Sequence, residues 1–126
     1  MTLYNKRLAL ALTGVLATIL TTGMPLQSAF GEGGARRDVV RQEQQSIKDA
    51  IKHATEAVEH GKQGHTDKLV THAEASLQQA MRGGTDPHLV EAIANLKMAI
   101  EHGKAGHADV ATKHAETAVT HLSQIQ

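Results

Sequence analysis

The chain has 126 residues, enough for one small domain. Acidic and basic residues balance at 13 each and cysteine is absent, which excludes a basic nucleic-acid surface, disulfides, thiolate metal sites, attached c-type haem and a cysteine nucleophile. The aromatic residues are Tyr4 and Phe30, so a core built further along must come from Ala, Val, Ile and Leu, which suits closely packed helices better than a sheet.

The first element is an export segment. Lys6-Arg7 precedes the apolar run Leu8 to Leu20, and Thr21-Thr22-Gly23-Met24-Pro25 follows, the basic, apolar, polar order of a secretory signal peptide. The run is short for a membrane span, although an uncleaved anchor is the competing reading. Small residues at Ala29 and Gly31 place the expected cut after Gly31. The expected division is then a signal peptide over 1–31, a flexible leader over 32–38 and a folded domain over 39–126. The mature chain is expected in a periplasm, free of the membrane. Loss of Lys6 and Arg7 leaves it 11 basic against 13 acidic residues.

Four helical patterns follow. Ile47, Ile51, Ala54 and Val58 mark one helix face, and Gly61 and Gly64 are expected to break it. Leu69, Ala73, Leu77 and Ala80 mark the second helix. Gly83-Gly84-Thr85-Asp86-Pro87 reads as a loop in which Asp86 or Thr85 caps the third helix and Pro87 fits its first turn. Leu89, Ile93, Leu96 and Ile100 form the third face, and Gly103 and Gly106 interrupt it. Ala111, Ala115, Ala118, Leu122 and Ile125 form the fourth.

The chain repeats itself at an offset of 42 residues. Glu59-His60-Gly61-Lys62-Gln63-Gly64-His65 returns as Glu101-His102-Gly103-Lys104-Ala105-Gly106-His107, and His72-Ala73-Glu74 as His114-Ala115-Glu116. Each unit is a helix, a glycine-bounded turn and an antiparallel helix. One such hairpin buries little alone. The expected fold is all-α: an up-down-up-down antiparallel four-helix bundle made of two repeated helical hairpins, as a monomer, with a hairpin-swapped dimer as the alternative.

The nine histidines all fall between His53 and His121. In an antiparallel hairpin, residues lie level when their numbers share a common sum. His53 with His72 and His60 with His65 share one sum; His88 with His121 and His102 with His107 share another. His114 stands level with Asn95. Rungs seven residues apart are spaced by about 10 Å along a helix, and helices in contact lie about 8–10 Å apart. Imidazoles from neighbouring helices can therefore converge on one ion.

Scattered surface histidines, or histidines placed at helix C-termini for the dipole as at His60, His102 and His121, are the bland alternative. Helix propensity gives no reason to choose His over Gln or Lys at so many repeated places. Neutral imidazole is a ligand for Cu(II), Ni(II) and Zn(II), and the Irving–Williams order puts copper first. Glu56, three residues after His53 and four before His60, shares their face and is the carboxylate expected to complete a site. Glu74 and Glu116 are spaced to point away, and Met81 and Met98 are expected to serve packing rather than Cu(I) ligation, since the sequence holds no methionine cluster.

The two Glu-His-Gly-Lys-x-Gly-His turns and the Thr112-Lys113-His114-Ala115-Glu116 segment resemble the periplasmic small metal-binding protein family, over roughly Ile47 to Leu122. The resemblance implies a His-rich four-helix bundle behind a signal peptide that binds several transition metals, copper notably, and buffers or stores them. It also implies a ligand role for His53, His60, His65, His72, His88, His102, His107, His114 and His121. Gln79 and Asn95 stand where such relatives are expected to carry His.

No Glu or Asp precedes a His by three residues, as di-iron bundles require, and no H-E-x-x-H, P-loop or G-x-S-x-G occurs. The chain is accordingly expected not to be an enzyme. A pH-responsive exported interaction module without a metal role is the alternative function, and a purely structural bundle is the third.

Overall fold

A computed structural model describes residues 27–125 and resolves them into four α-helices: α1 (Gln27–Lys62), α2 (Thr66–Ala80), α3 (Pro87–Lys104) and α4 (Ala108–Ser123). The expected signal peptide lies outside the described residues except for 27–31, where α1 begins. Residues 32–38, expected as a flexible leader, continue α1 as helix. Its side chains from Gly33 to Gln42 are exposed, and Gly33 and Gly34 have nothing within 4 Å. Helix formers such as Ala35, Arg36 and Arg37 carry this stretch, with an exposed Arg41–Asp38 pair at 3.8 Å.

α1 packs on α2 and α4, and α3 packs on α2 and α4, so the helices form a square in chain order. Direction follows from which residues meet. His60 meets His65 and His53 meets His72 across α1 and α2, while His102 meets His107 and His88 meets His121 across α3 and α4. Lys62 Nζ reaches Glu116 Oε1 of α4 at 2.9 Å, and Lys104 Nζ reaches Glu74 Oε1 of α2 at 2.8 Å. Every neighbouring pair is antiparallel. Both hairpin turns lie at one end of the bundle, and the α1/α2 and α3/α4 grooves lie on opposite faces.

The core is aliphatic and dominated by alanine. Ala50, Ala54, Ala57, Ala73, Ala92, Ala99, Ala111, Ala115 and Ala118 are fully buried, interleaved with Leu69, Leu89, Leu96 and Leu122. Small side chains let the helices approach closely, which suits grooves narrow enough for imidazoles to meet. Ser76 is sealed within: its Oγ donates to the Ala50 carbonyl at 2.8 Å, so its burial costs no unpaired hydroxyl.

Gly61 and Gly103 were expected as helix breakers, yet α1 and α3 run through them. Both are buried where helices touch. A Cβ on Gly61 would collide with Thr112 Oγ1 and stand 2.6 Å from Leu69 Cδ1; one on Gly103 would stand 2.5 Å from Val70 Cγ2. The breakers are Gly64 and Gly106, at φ +74° and +78°, a left-handed conformation that glycine adopts without strain. Asp86 caps α3, accepting from His88 N at 2.7 Å, and Pro87 fills the first turn.

Candidate metal centre

The helix phase places six histidines half-buried at the groove margins (His53, His60, His72, His102, His114, His121) and leaves His65, His88 and His107 exposed. All four level pairs lie ring against ring: His53–His72 at 6.0 Å between centroids, His60–His65 at 6.0 Å, His102–His107 at 5.9 Å and His88–His121 at 5.8 Å. His114 Nδ1 contacts Asn95 Oδ1 at 3.1 Å.

Two further contacts run diagonally, His60–His72 at 5.2 Å and His102–His114 at 5.5 Å, with rings 15° and 5° from parallel. Counting level positions misses them. Helical side chains lean toward their own N-terminus. His60 therefore leans away from the hairpin turn and His72 leans toward it, so the two close on each other while level partners diverge. His53, His72, His60 and His65 thus form a continuous file in the first groove.

These spacings suit coordination. With a metal–nitrogen bond of about 2.0–2.1 Å and a ring nitrogen about 1.1 Å from its centroid, two imidazoles on one tetrahedral ion have centroids about 5 Å apart. The observed 5.2–6.0 Å needs at most about an ångström of closure.

Glu56 supplies the tightest convergence. Its Oε2 lies 3.0 Å from His53 Nδ1 and 2.9 Å from His72 Nδ1. Among the described residues this is the one group of three His, Asp or Glu side chains whose ligand atoms lie within 4.8 Å of one another. An ionised carboxylate only accepts hydrogen bonds, so a neutral His53 gives it an Nδ1–H and keeps its Nε2 lone pair, while His72 Nδ1 stands beside the same oxygen. That is the carboxylate–histidine arrangement that orients metal-ligating imidazoles. The same three atoms can also hold an ion directly once both Nδ1 positions lose their protons.

Other features fit unspent donors. Nδ1 of His60 and of His121 is sealed from solvent and lacks a hydrogen-bond partner. Desolvation pushes the His60 pKa down, helped by the charges of Lys68, His72 and His65 and opposed by Glu59. His60 therefore stays neutral, and competent to ligate, to lower pH than an ordinary histidine. His65 and His107 stand at the N-caps of α2 and α4 yet make no side-chain cap bond. Ser, Thr, Asp or Asn at an N-cap is commonly worth about 1 kcal/mol, so imidazole at both caps stabilises the helices less than the usual residues do.

The remaining candidates sort plainly. Asp67 and Asp109 sit in the first turns of α2 and α4, where the helix dipole favours them. Glu74 and Glu116 point away from the histidines, as their spacing requires, into the cross-hairpin pairs with Lys104 and Lys62. Met81 and Met98 are not packing residues: they are 68 % and 46 % exposed. A cavity of about 610 Å³ lies at the opposite end of the bundle from the hairpin turns, between α1 and the Gly83–Asp86 loop, and no histidine lines it.

Among the described residues, no helix is long and apolar enough to cross a membrane. The sequence profile of the family described as "Small metal-binding protein" matches residues 11–125. No curated protein matches the chain.

Proposed function

The chain belongs to the small metal-binding protein family, and from that premise we propose that it binds and buffers divalent transition metals in a periplasm, copper foremost, with nickel and zinc behind. In this reading it is a monomer, not an enzyme, and the metal is its cargo. The single observation that carries the proposal is Glu56 Oε2 lying within 3.0 Å of two imidazole nitrogens from different helices. A convergence of one carboxylate and two neutral imidazoles is an N/O donor set, on which Cu(II) outranks Ni(II) and Zn(II).

The file of rings in each groove supports several open sites rather than one closed cage. Two imidazoles and a carboxylate leave a coordination position to water or to a third ring, and His60 stands next in file to His72. Open sites of this kind exchange their ions, as buffering requires.

The test is native mass spectrometry of the chain with Cu(II), Ni(II) and Zn(II) near neutral pH, alongside His53→Gln/His72→Gln. Uptake by the parent chain in the order Cu, Ni, Zn, with fewer ions held by the double variant, supports the proposal. No uptake, with a cooperative unfolding transition in mild acid, would instead support a pH-responsive module.

A further inference from the structure

Asn95, Met98 and His114 occupy, 42 residues on, the positions of His53, Glu56 and His72. One trio is imidazole, carboxylate, imidazole; the other is amide, thioether, imidazole. The frame holding them is the same. The diagonal ring pairs stack at 5.2 Å in the first groove and 5.5 Å in the second. Asn95 Oδ1 reaches His114 Nδ1 at 3.1 Å, as Glu56 Oε2 reaches both His53 and His72.

Met98 lies three residues after Asn95 and four before His102, so it shares a helix face with two residues that both meet His114. Its side chain is as long as that of Glu56, and it takes no part in the core. Its helix position gives this half-exposed thioether the face of Asn95 and His102, and the core does not claim it.

The donors around it are preset. Asn95 Nδ2 donates to the Glu91 carbonyl at 2.9 Å, which turns Oδ1 toward His114. His114 Nδ1 must then carry the proton, leaving Nε2 with its lone pair. We infer that the second groove, through Met98, His114 and His102, is a site for a soft monovalent cation, Cu(I), distinct in chemistry from the Glu56 site of the first groove. Thioether sulfur selects Cu(I), whereas the carboxylate of the first groove suits a divalent ion. A donor set without formal charge also matches a single positive charge. The repeat has thus diverged into two grooves with different oxidation-state preferences.

This inference rests on the proposed metal-binding role, and the experiment separates the two. The full chain and its Met98→Leu, Met81→Leu and Glu56→Gln variants are titrated anaerobically with Cu(I) against a chromophoric Cu(I) chelator, and separately with Zn(II). Met98→Leu keeps size and apolarity at an exposed position, so the fold survives. It is expected to weaken Cu(I) binding by about tenfold or more and to leave the first Zn(II) equivalent unchanged. Met81→Leu changes neither. Glu56→Gln weakens Zn(II) and spares Cu(I). X-ray absorption of the Cu(I)-loaded chain shows sulfur in the copper shell, and Met98→Leu removes it. Cu(I) held equally tightly by Met98→Leu, or a nitrogen-only shell in the parent chain, overturns the inference while Zn(II) uptake leaves the metal-binding role standing. Absence of Zn(II) and copper uptake alike overturns both.

Discussion

Replacing Glu56 with Gln keeps the side chain's shape and removes its charge, so the apo and metal-bound states should respond very differently. In the apo protein Glu56 is half-buried, 33 % exposed at its side chain, hydrogen-bonded to His53 Nδ1 at 3.0 Å and 2.9 Å from His72 Nδ1. Contacts exposed to that degree contribute at most about 1 kcal/mol, and the Gln amide oxygen can still accept from one ring. The expected loss of melting temperature in a domain of this size is therefore below about 8 °C. In the bound state the carboxylate either ligates the ion or holds the His53 Nδ1 proton so that the His53 Nε2 lone pair is presented. Losing a partner of that kind costs about 10–100-fold in affinity, or about 1.4–2.8 kcal/mol. Isothermal titration with Zn(II) reads the affinity, and nitrogen-15 NMR of the imidazoles reads the tautomers. Glu56→Gln should shift His53 from a single Nδ1–H form toward a mixture. A first Zn(II) equivalent bound as tightly as in the parent chain, with the His53 tautomer unchanged, would refute the reasoning.

Gly61→Ala sets two effects against each other. Alanine in a helix gains about 0.5–1 kcal/mol over glycine, while overpacking a tight contact costs about 1–3 kcal/mol. Thr112 is anchored by its 2.7 Å bond to the Ala108 carbonyl and Leu69 is fully buried, so overpacking should win by about 1–2 kcal/mol. Urea denaturation measures it, and equal stability would mean that α1 and α4 part without cost. The pH dependence of stability should carry a His60 component of definite sign. Because its folded pKa lies below the ordinary value near 6.5, the unfolded chain binds more protons in the window just beneath that value. The His60 contribution is full above about pH 6.5 and is lost as pH falls through the depressed folded pKa. Melting curves of His60→Gln should lose less stability than the parent chain over that interval, and parallel curves would count against a desolvated His60.

Pairing was legible in the sequence because a glycine-bounded turn fixes the register of a hairpin, and register fixes which residues stand level. That is enough to bring His53 to His72, His88 to His121 and His114 to Asn95. It does not give the direction in which a side chain leans, so the diagonal stacks of His60 on His72 and His102 on His114 emerge only from the structure. Glu56 could be placed on the face of His53 and His60 by spacing alone. Its approach to His72 depends on how closely α1 and α2 approach, which alanine-rich facing positions allow but do not specify. The same limit applies at Gly61 and Gly103. A glycine near a helix end reads as punctuation until a neighbouring helix shows that its missing Cβ is the point. Met98 is ambiguous in the sequence for a simpler reason: an apolar side chain at a boundary position is equally consistent with the edge of a core and with a groove, and its exposure comes only from the structure.

The α1/α2 and α3/α4 grooves face away from each other across the full thickness of the bundle. Charges held in them are separated by more than one interhelix spacing of about 8–10 Å, and so by more than the Debye length of about 8 Å at physiological salt. Filling one side then neither hinders nor helps filling the other, and total occupancy rises gradually with free ion concentration instead of switching. In the proposed buffering role, such an arrangement would smooth fluctuations in supply over a broad interval, because each face saturates on its own schedule.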